Sequence, residues 1–363
     1  MNWRLVAIPA SLVPFIILIL TADVSPQDVL AVGLVPFLAA AAAAIIKMLL
    51  QALRFKYFIR HFLGYDVAST GQTVAARLAG EFVTQTTPSY VGGEFVRIAW
   101  LSRKGVPPGK AAWVTTMEII ADVFVGAVLA FIAGALAIYR GGTVVGLAVI
   151  LITIPTLAVW LGLILFSAKR TLRLPSFSQK IVEKFLSKKR AENLINSANT
   201  AIADLCNMSR EIFNSKKSIG TFAVGIAITV IAFVFQGVSF MVLANAVEPR
   251  IGLFGSLMAT SASTAVANLP ITIGGSGLAE LGIWAYIDNL SGIPNLADVT
   301  QDSSQLNVII AWRIATYHVP LIVMWIALMR LTVHKVSAPG IQHSITGHED
   351  KRKPENDSSG TAR

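Results

Sequence analysis

Glu118 and Asp122 stand one helical turn apart inside a long apolar run, where a charge costs a few kcal/mol unless something compensates it. Two carboxylates at that spacing face the same way. They suit a proton or a cation, or they accept arginines from elsewhere in the chain, with Arg77, Arg97 and Arg313 as the candidates. In the second case the charges are a buried ion pair that fixes helix register. Glu94 and Arg97 form another acid–base couple, three residues apart on one helix face and directly after Gly92 and Gly93. They can pair with each other or with groups on other helices. Arg313 lies deep in the last apolar run, and its permanent charge and five donors call for a lipid phosphate or a carboxylate beside it. Tyr317 follows one turn later, and Pro320 kinks the helix beyond it. His318 reads as a packed core residue. Lys47, near the inner end of its own apolar run, can snorkel and is given no role.

Other chemistries find no support in the residues. There is no phosphate-binding Walker loop, no His-Glu-x-x-His, no paired aspartate motif and no Gly-x-Ser-x-Gly. Cys206 is the single cysteine, so neither an intramolecular disulfide nor a thiolate metal cluster can form. No catalytic residue, metal site or cofactor is therefore assigned.

The elements that position these charges are membrane helices. Of the 363 residues 54% are hydrophobic and only 14% charged, with a mean hydropathy of +0.65, a balance that water-soluble globules rarely reach. A span needs roughly 20 mostly apolar residues to cross a core about 30 Å thick. Residues 29–53, 111–139, 143–168, 220–247 and 308–333 qualify, and 5–21 is a shorter sixth. That first run reads as a span rather than a signal peptide, because Ala22-Asp23-Val24 makes a poor cleavage site. The net charge of +10 points to topology rather than to nucleic acid. The cations fall in short blocks between spans, as the positive-inside rule requires. These blocks are Arg54, Lys56 and Arg60; Arg97, Arg103, Lys104 and Lys110; eleven cations between Lys169 and Lys217; and a last set from Arg330. All belong on one face, which makes both termini cytoplasmic in a multi-pass cell-membrane protein. The opposite face keeps Arg140 and Arg250 among Asp23, Asp28, Glu248, Asp288, Asp298 and Asp302.

Two apolar stretches are interrupted. The first runs through Pro88 to Gly92 and Gly93, the second through Pro270 to Gly274, Gly275 and Gly277. Proline and glycine break a helix, and a broken helix is tolerated at membrane depth only where protein or a watery cavity shields it. Each stretch reads as a re-entrant hairpin. The two share a proline followed four and five residues later by paired glycines, at one offset of 182, the difference between 274 and 92. Three spans separate them, so the second hairpin enters from the opposite face, the parity of an inverted repeat; two unrelated kinks are the alternative. The expected fold is all-α, a polytopic membrane bundle of about six spans plus two hairpins, or else eight spans. Residues 1–336 form the membrane domain. Within it, 169–218 is a cytoplasmic insert whose Ile195, Ala198, Ile202, Leu205 and Ile212 recur at amphipathic helical spacing. Residues 337–363 form a polar, disordered tail.

Pro88, Gly92-Gly93-Glu94, Arg97, Leu101, Gly105, Glu118 and Asp122 resemble the pattern of the lysylphosphatidylglycerol synthase transmembrane region. So do Pro270, Gly274, Gly275, Gly277 and Glu280, with Arg313, Tyr317 and Pro320, across roughly residues 5–333. One departure is Ile119, which stands where the family often has arginine. The resemblance implies a flippase-like protein that moves a phospholipid or lipid-linked intermediate and has an anionic headgroup or lipid phosphate as its partner. It also implies a substrate path along Pro88, Gly92, Gly93, Glu94, Arg97, Glu118, Asp122, Pro270, Gly274, Gly275, Glu280, Arg313 and Tyr317. The aminoacyltransferase of bifunctional relatives is a separate soluble domain, and the thirty or so residues after the last span are too few to hold it. Lipid aminoacylation by this chain is therefore not expected. A small-solute or ion transporter and a membrane-embedded transferase, or its accessory subunit, are the competing readings.

Overall fold

The computed structural model describes residues 32–87, 92–169, 215–247, 251–269, 272, 274–289 and 303–333, with isolated helical positions between 176 and 210. Among these the regular elements are helical, and five helices are long and apolar enough to cross a membrane. The chain is an all-α polytopic membrane protein. The expected first run at 5–21, Pro88, Pro270 and the tail at 337–363 lie outside the described residues, as does most of the insert at 169–218.

Helix α1, Leu34–Leu63, is closed at its end by Gly64 in the left-handed conformation, whose N–H donates to the Arg60 carbonyl at 3.0 Å. Two short helices follow, α2, Thr70–Gln85, and α3, Gly93–Arg103. The Ser69 hydroxyl caps the first at the Gln72 N–H. Helix α4, Pro108–Tyr139, begins with proline where the missing N–H costs nothing, and α5, Thr143–Lys169, returns beside it. Then come α6, Lys216–Val247, a second pair of short helices, α7, Leu253–Ala267, and α8, Leu278–Asn289, and α9, Ser303–Arg313. A π-helical turn, Ile314–His318, joins α9 to α10, Val319–Val333. The break expected at Pro320 is thus a widened turn just before it, an arrangement often found at functional sites.

Small residues set how closely these helices approach, since without water between helices packing must do the work. Gly225 of α6 leaves room for the Phe58 ring of α1, and Gly134 of α4 lies under α5, where a Cβ would come within 2.9 Å of the Gly146 carbonyl. Gly93 crosses Gly80 so closely that a Cβ would overlap the Thr84 hydroxyl.

The helix bounds carry the 182-residue offset well beyond the two glycine pairs. Leu34 and Lys216 begin α1 and α6 at that separation, and Gln85 and Ala267 end α2 and α7 at the same separation. α1 and α6 lie side by side and run antiparallel, because Lys47 bonds Gln236, Arg54 bonds Thr229, and Phe58 meets Gly225. At the offset Lys47 corresponds to Thr229 and Arg54 to Gln236, so the first two contacts are images of each other. The packing agrees: α2 lies on α10 while α7 lies on α4. The antiparallel α1 and α6 at one offset match what an inverted repeat requires of its first pair of helices.

Candidate functional site

Where α1 crosses α4, three arginines meet three carboxylates. Arg54, wholly buried, forms a fork with Asp122, its Nη1 and Nη2 donating to the two carboxylate oxygens at 2.7 Å each. Its Nη2 also lies 3.5 Å from Glu118, and Gln51 donates to Asp122 at 3.2 Å. Arg77 of α2 bonds Glu118 and, at 2.5 Å, Glu81 one turn along its own helix. Arg97 of α3 approaches Glu118 at 3.3 Å through its Nε, which donates no hydrogen bond to any described residue. Glu118, 1% exposed, is therefore the hub that ties α1, α2 and α3 to α4. Losing one side of such a buried pair strands the other, at a cost of about 3–5 kcal/mol.

Glu94 does not join the cluster. It turns back to accept from the Gly92 N–H at 3.1 Å, filling the N-terminus of α3 with its own carboxylate. Glu280 does the same for α8, accepting from the Gly277 N–H at 2.8 Å while its other oxygen lies 2.9 Å from Arg313 Nε. Each half therefore ties its second short helix to the following span by an ion pair, and the charges are exchanged. Arg97 on α3 meets Glu118 on α4, whereas Glu280 on α8 meets Arg313 on α9.

The two breaks touch. Arg313 Nη2 donates to the Gly274 carbonyl at 2.5 Å and its guanidinium lies 4.1 Å from the centre of the Tyr317 ring. The Tyr317 hydroxyl donates to the Gln85 carbonyl at 2.8 Å, bridging the end of α2 to the opposite half. Gly274 takes a positive φ of 60° at this junction, and a Cβ there would overlap the Tyr317 hydroxyl and sit 2.7 Å from the Gln85 carbonyl. Gly275 is likewise left-handed, at 64°.

Above this junction lies a cavity of about 470 Å³. Glu94, Arg97, Asp122, Arg313 and Tyr317 line it, joined by Lys47, Glu81 and Gln236. Of the other residues singled out in the sequence, Glu118, Glu280, Gly92, Gly93, Gly274 and Gly275 do not line it, though Glu118 and Glu280 pair with the lining Arg97 and Arg313. Pro88 and Pro270 fall outside the described residues.

Two residues need correction. Arg54 is not a loop cation marking the cytoplasmic face, because α1 runs nine residues beyond it, to Leu63, and Arg54 is buried within the helix. Lys47 is held at depth rather than snorkelling free. Its ammonium bonds the neutral Gln236 amide and sits 5.4 Å from the centre of the Phe233 ring. A signal for both was present, since Lys47, Gln51 and Arg54 follow one another at spacings of four and three, one polar stripe on an otherwise apolar helix. Ile119, in the place where arginine was expected, lines the cavity, while Arg54, Arg77 and Arg97 supply the charge around Glu118.

Comparison with known proteins gives two matches. The model of the lysylphosphatidylglycerol synthase TM region matches residues 6–323. A UPF0104 membrane protein of Archaeoglobus fulgidus is 26% identical over 280 residues, covering 74% of this chain and 78% of the relative.

Proposed function

We propose that this chain, which belongs to the lysylphosphatidylglycerol synthase transmembrane-region family, is a flippase-like protein that moves a phospholipid or lipid-linked intermediate with an anionic headgroup across the cell membrane. The observation that carries the reading is the cavity between the two interrupted segments, lined by Lys47, Arg97 and Arg313 from three different helices. Arg54 forks onto Asp122, and Arg77 bonds both Glu118 and Glu81. Arg97 is the loosest guanidinium of the cluster, and Lys47 has only a neutral acceptor. A phosphate entering there meets cations whose desolvation the fold has already met, and it can displace Glu94 from the N-terminus of α3. Glu81, Glu118 and Asp122 balance the positive charge while the site is empty. Under this reading the two short-helix pairs are re-entrant hairpins, one from each face, and the shielded breaks form the substrate path.

The test is reconstitution into vesicles with a panel of head-labelled lipids. Faster transbilayer movement of anionic lipids than in protein-free vesicles is expected, and no acceleration of any lipid would overturn the reading. The orientation that accompanies it places both termini and the 169–218 insert in the cytoplasm. Cysteines introduced at Lys188 and Asp298, both outside the described residues, are expected to react from opposite sides of the membrane. Reaction from one side would refute that topology.

A further inference from the structure

The cavity has two chemically different ends. One is the charged end described above. The other lies between α4 and α5, where Ile119, Val123 and Gly126 on one face of α4 confront Ile152, Thr156 and Trp160 on one face of α5. The two α5 hydroxyls that line the cavity are turned onto their own helix, Thr153 onto the Val149 carbonyl at 2.7 Å and Thr156 onto the Ile152 carbonyl at 2.9 Å. Phe233 marks the boundary. Its ring faces the Lys47 ammonium on the polar side and borders Gly126 on the apolar side, where a Cβ would come within 3.3 Å of it.

We infer that the apolar end holds the hydrocarbon chain of the lipid whose anionic headgroup occupies the charged end, and that the lipid enters sideways past α5. The inference rests on the function proposed above and adds the route. A water-soluble anion has no use for an apolar chamber continuous with its site, whereas an amphiphile matches both ends at once. α5 is the wall most suited to admit it. Its outer face is open to the bilayer, with Leu151 69% and Val159 60% exposed, so one helix separates the chamber from lipid. α5 is pinned to α4 at the Gly134–Gly146 crossing near its start, and Pro155 removes a backbone hydrogen bond between that crossing and Trp160. The far half of α5 can therefore tilt while the near half stays packed.

A photo-reactive p-benzoylphenylalanine placed at Thr156, in the full chain reconstituted into phosphatidylglycerol vesicles carrying an alkyne-tagged chain, tests this directly. The same probe at Val159 faces the bulk bilayer and serves as the control. Expected are lipid adducts from both positions and, on adding Gly126→Leu, a several-fold loss of adducts from position 156 with none from 159. No adduct from 156, or an adduct that Gly126→Leu leaves unchanged, would overturn the inference. Thermal stabilisation by soluble glycerol phosphate separates the two levels. If that anion stabilises the protein through Arg97 but position 156 captures no chain, the headgroup site stands and the chain route falls. If neither binds, the proposed function falls with it.

Discussion

At the crossing of α1 and α6 the first half of the repeat contributes Lys47 and Arg54, and the second half contributes Thr229 and Gln236 at the corresponding places. The backbone geometry is shared, and the chemistry is not. Two cations facing each other across a two-fold would repel in a low-dielectric interior. A cation facing a hydroxyl or amide makes a charge-assisted hydrogen bond instead. Symmetry of contacts thus survives only because charge is confined to one side of each contact. The consequence is uneven. The first half needs Glu81, Glu118 and Asp122 to hold its arginines, whereas the second half needs Glu280 alone for Arg313 and satisfies the rest through neutral groups. Gln236 donates to Thr264 at 2.7 Å, Ser263 to the Ala279 carbonyl at 2.6 Å, and Trp312 to Ser239 at 3.2 Å.

If the first half is held by charge and the second by neutral hydrogen bonds, their variants should separate by size. Glu118→Gln should be the most damaging, removing the hub of three arginines and costing about 3–5 kcal/mol of stability in detergent unfolding. Adding Arg77→Gln should recover part of that loss, because the two residues are coupled. A loss under about 1 kcal/mol, the scale of a neutral hydrogen bond, would erase the contrast between halves.

Across the α1–α6 crossing the contrast can be sharpened. Gln236→Leu leaves the Lys47 ammonium without its acceptor and should cost about 1–3 kcal/mol. Thr229→Val should cost less, since Arg54 keeps its fork with Asp122. Equal effects would show that the carboxylates do not protect Arg54. Tyr317→Phe is expected to be smaller still, about 1 kcal/mol for one hydrogen bond, yet it frees the end of α2 from the opposite half. Faster hydrogen exchange at the end of α2 would register that release, and unchanged exchange would show that the Tyr317 bond is not what holds the two breaks together.

Much of the fold was legible because a membrane span is read from composition over some twenty residues, with little help from the rest of the chain. The five described spans follow the apolar runs, and Glu118, Asp122 and Arg313 stood out as charges inside them. The offset at the glycine pairs was also visible, and the structure extends it to whole helices. Arg54 was hidden because the apolar run ends at Leu53 while the helix continues to Leu63, and the burial of this arginine comes from Asp122, Glu118 and Thr229 on other helices. The fate of Glu94 was open in the sequence between pairing with Arg97 and pairing with other helices; the structure instead turns it onto the Gly92 N–H, while Arg97 goes to Glu118 on α4. The π-helical turn before Pro320 depends on packing of Tyr317 against α2, a contact 232 residues away in sequence.

Arg97 offers the cleanest test of the central claim, that the cavity between the two breaks is where the lipid headgroup passes. It lines the cavity, and removing it leaves Glu118 Oε1 with both Arg77 and Arg54 while the glutamine amide can still donate to the Oε2 that Arg97 faced, so Arg97→Gln should cost about 1–3 kcal/mol, less than the loss of Glu118 itself. Measured in reconstituted vesicles with head-labelled phosphatidylglycerol, at a temperature where unfolding shows the variant still fully folded, it is predicted to lose transbilayer movement. Undiminished movement in the folded variant would contradict the account.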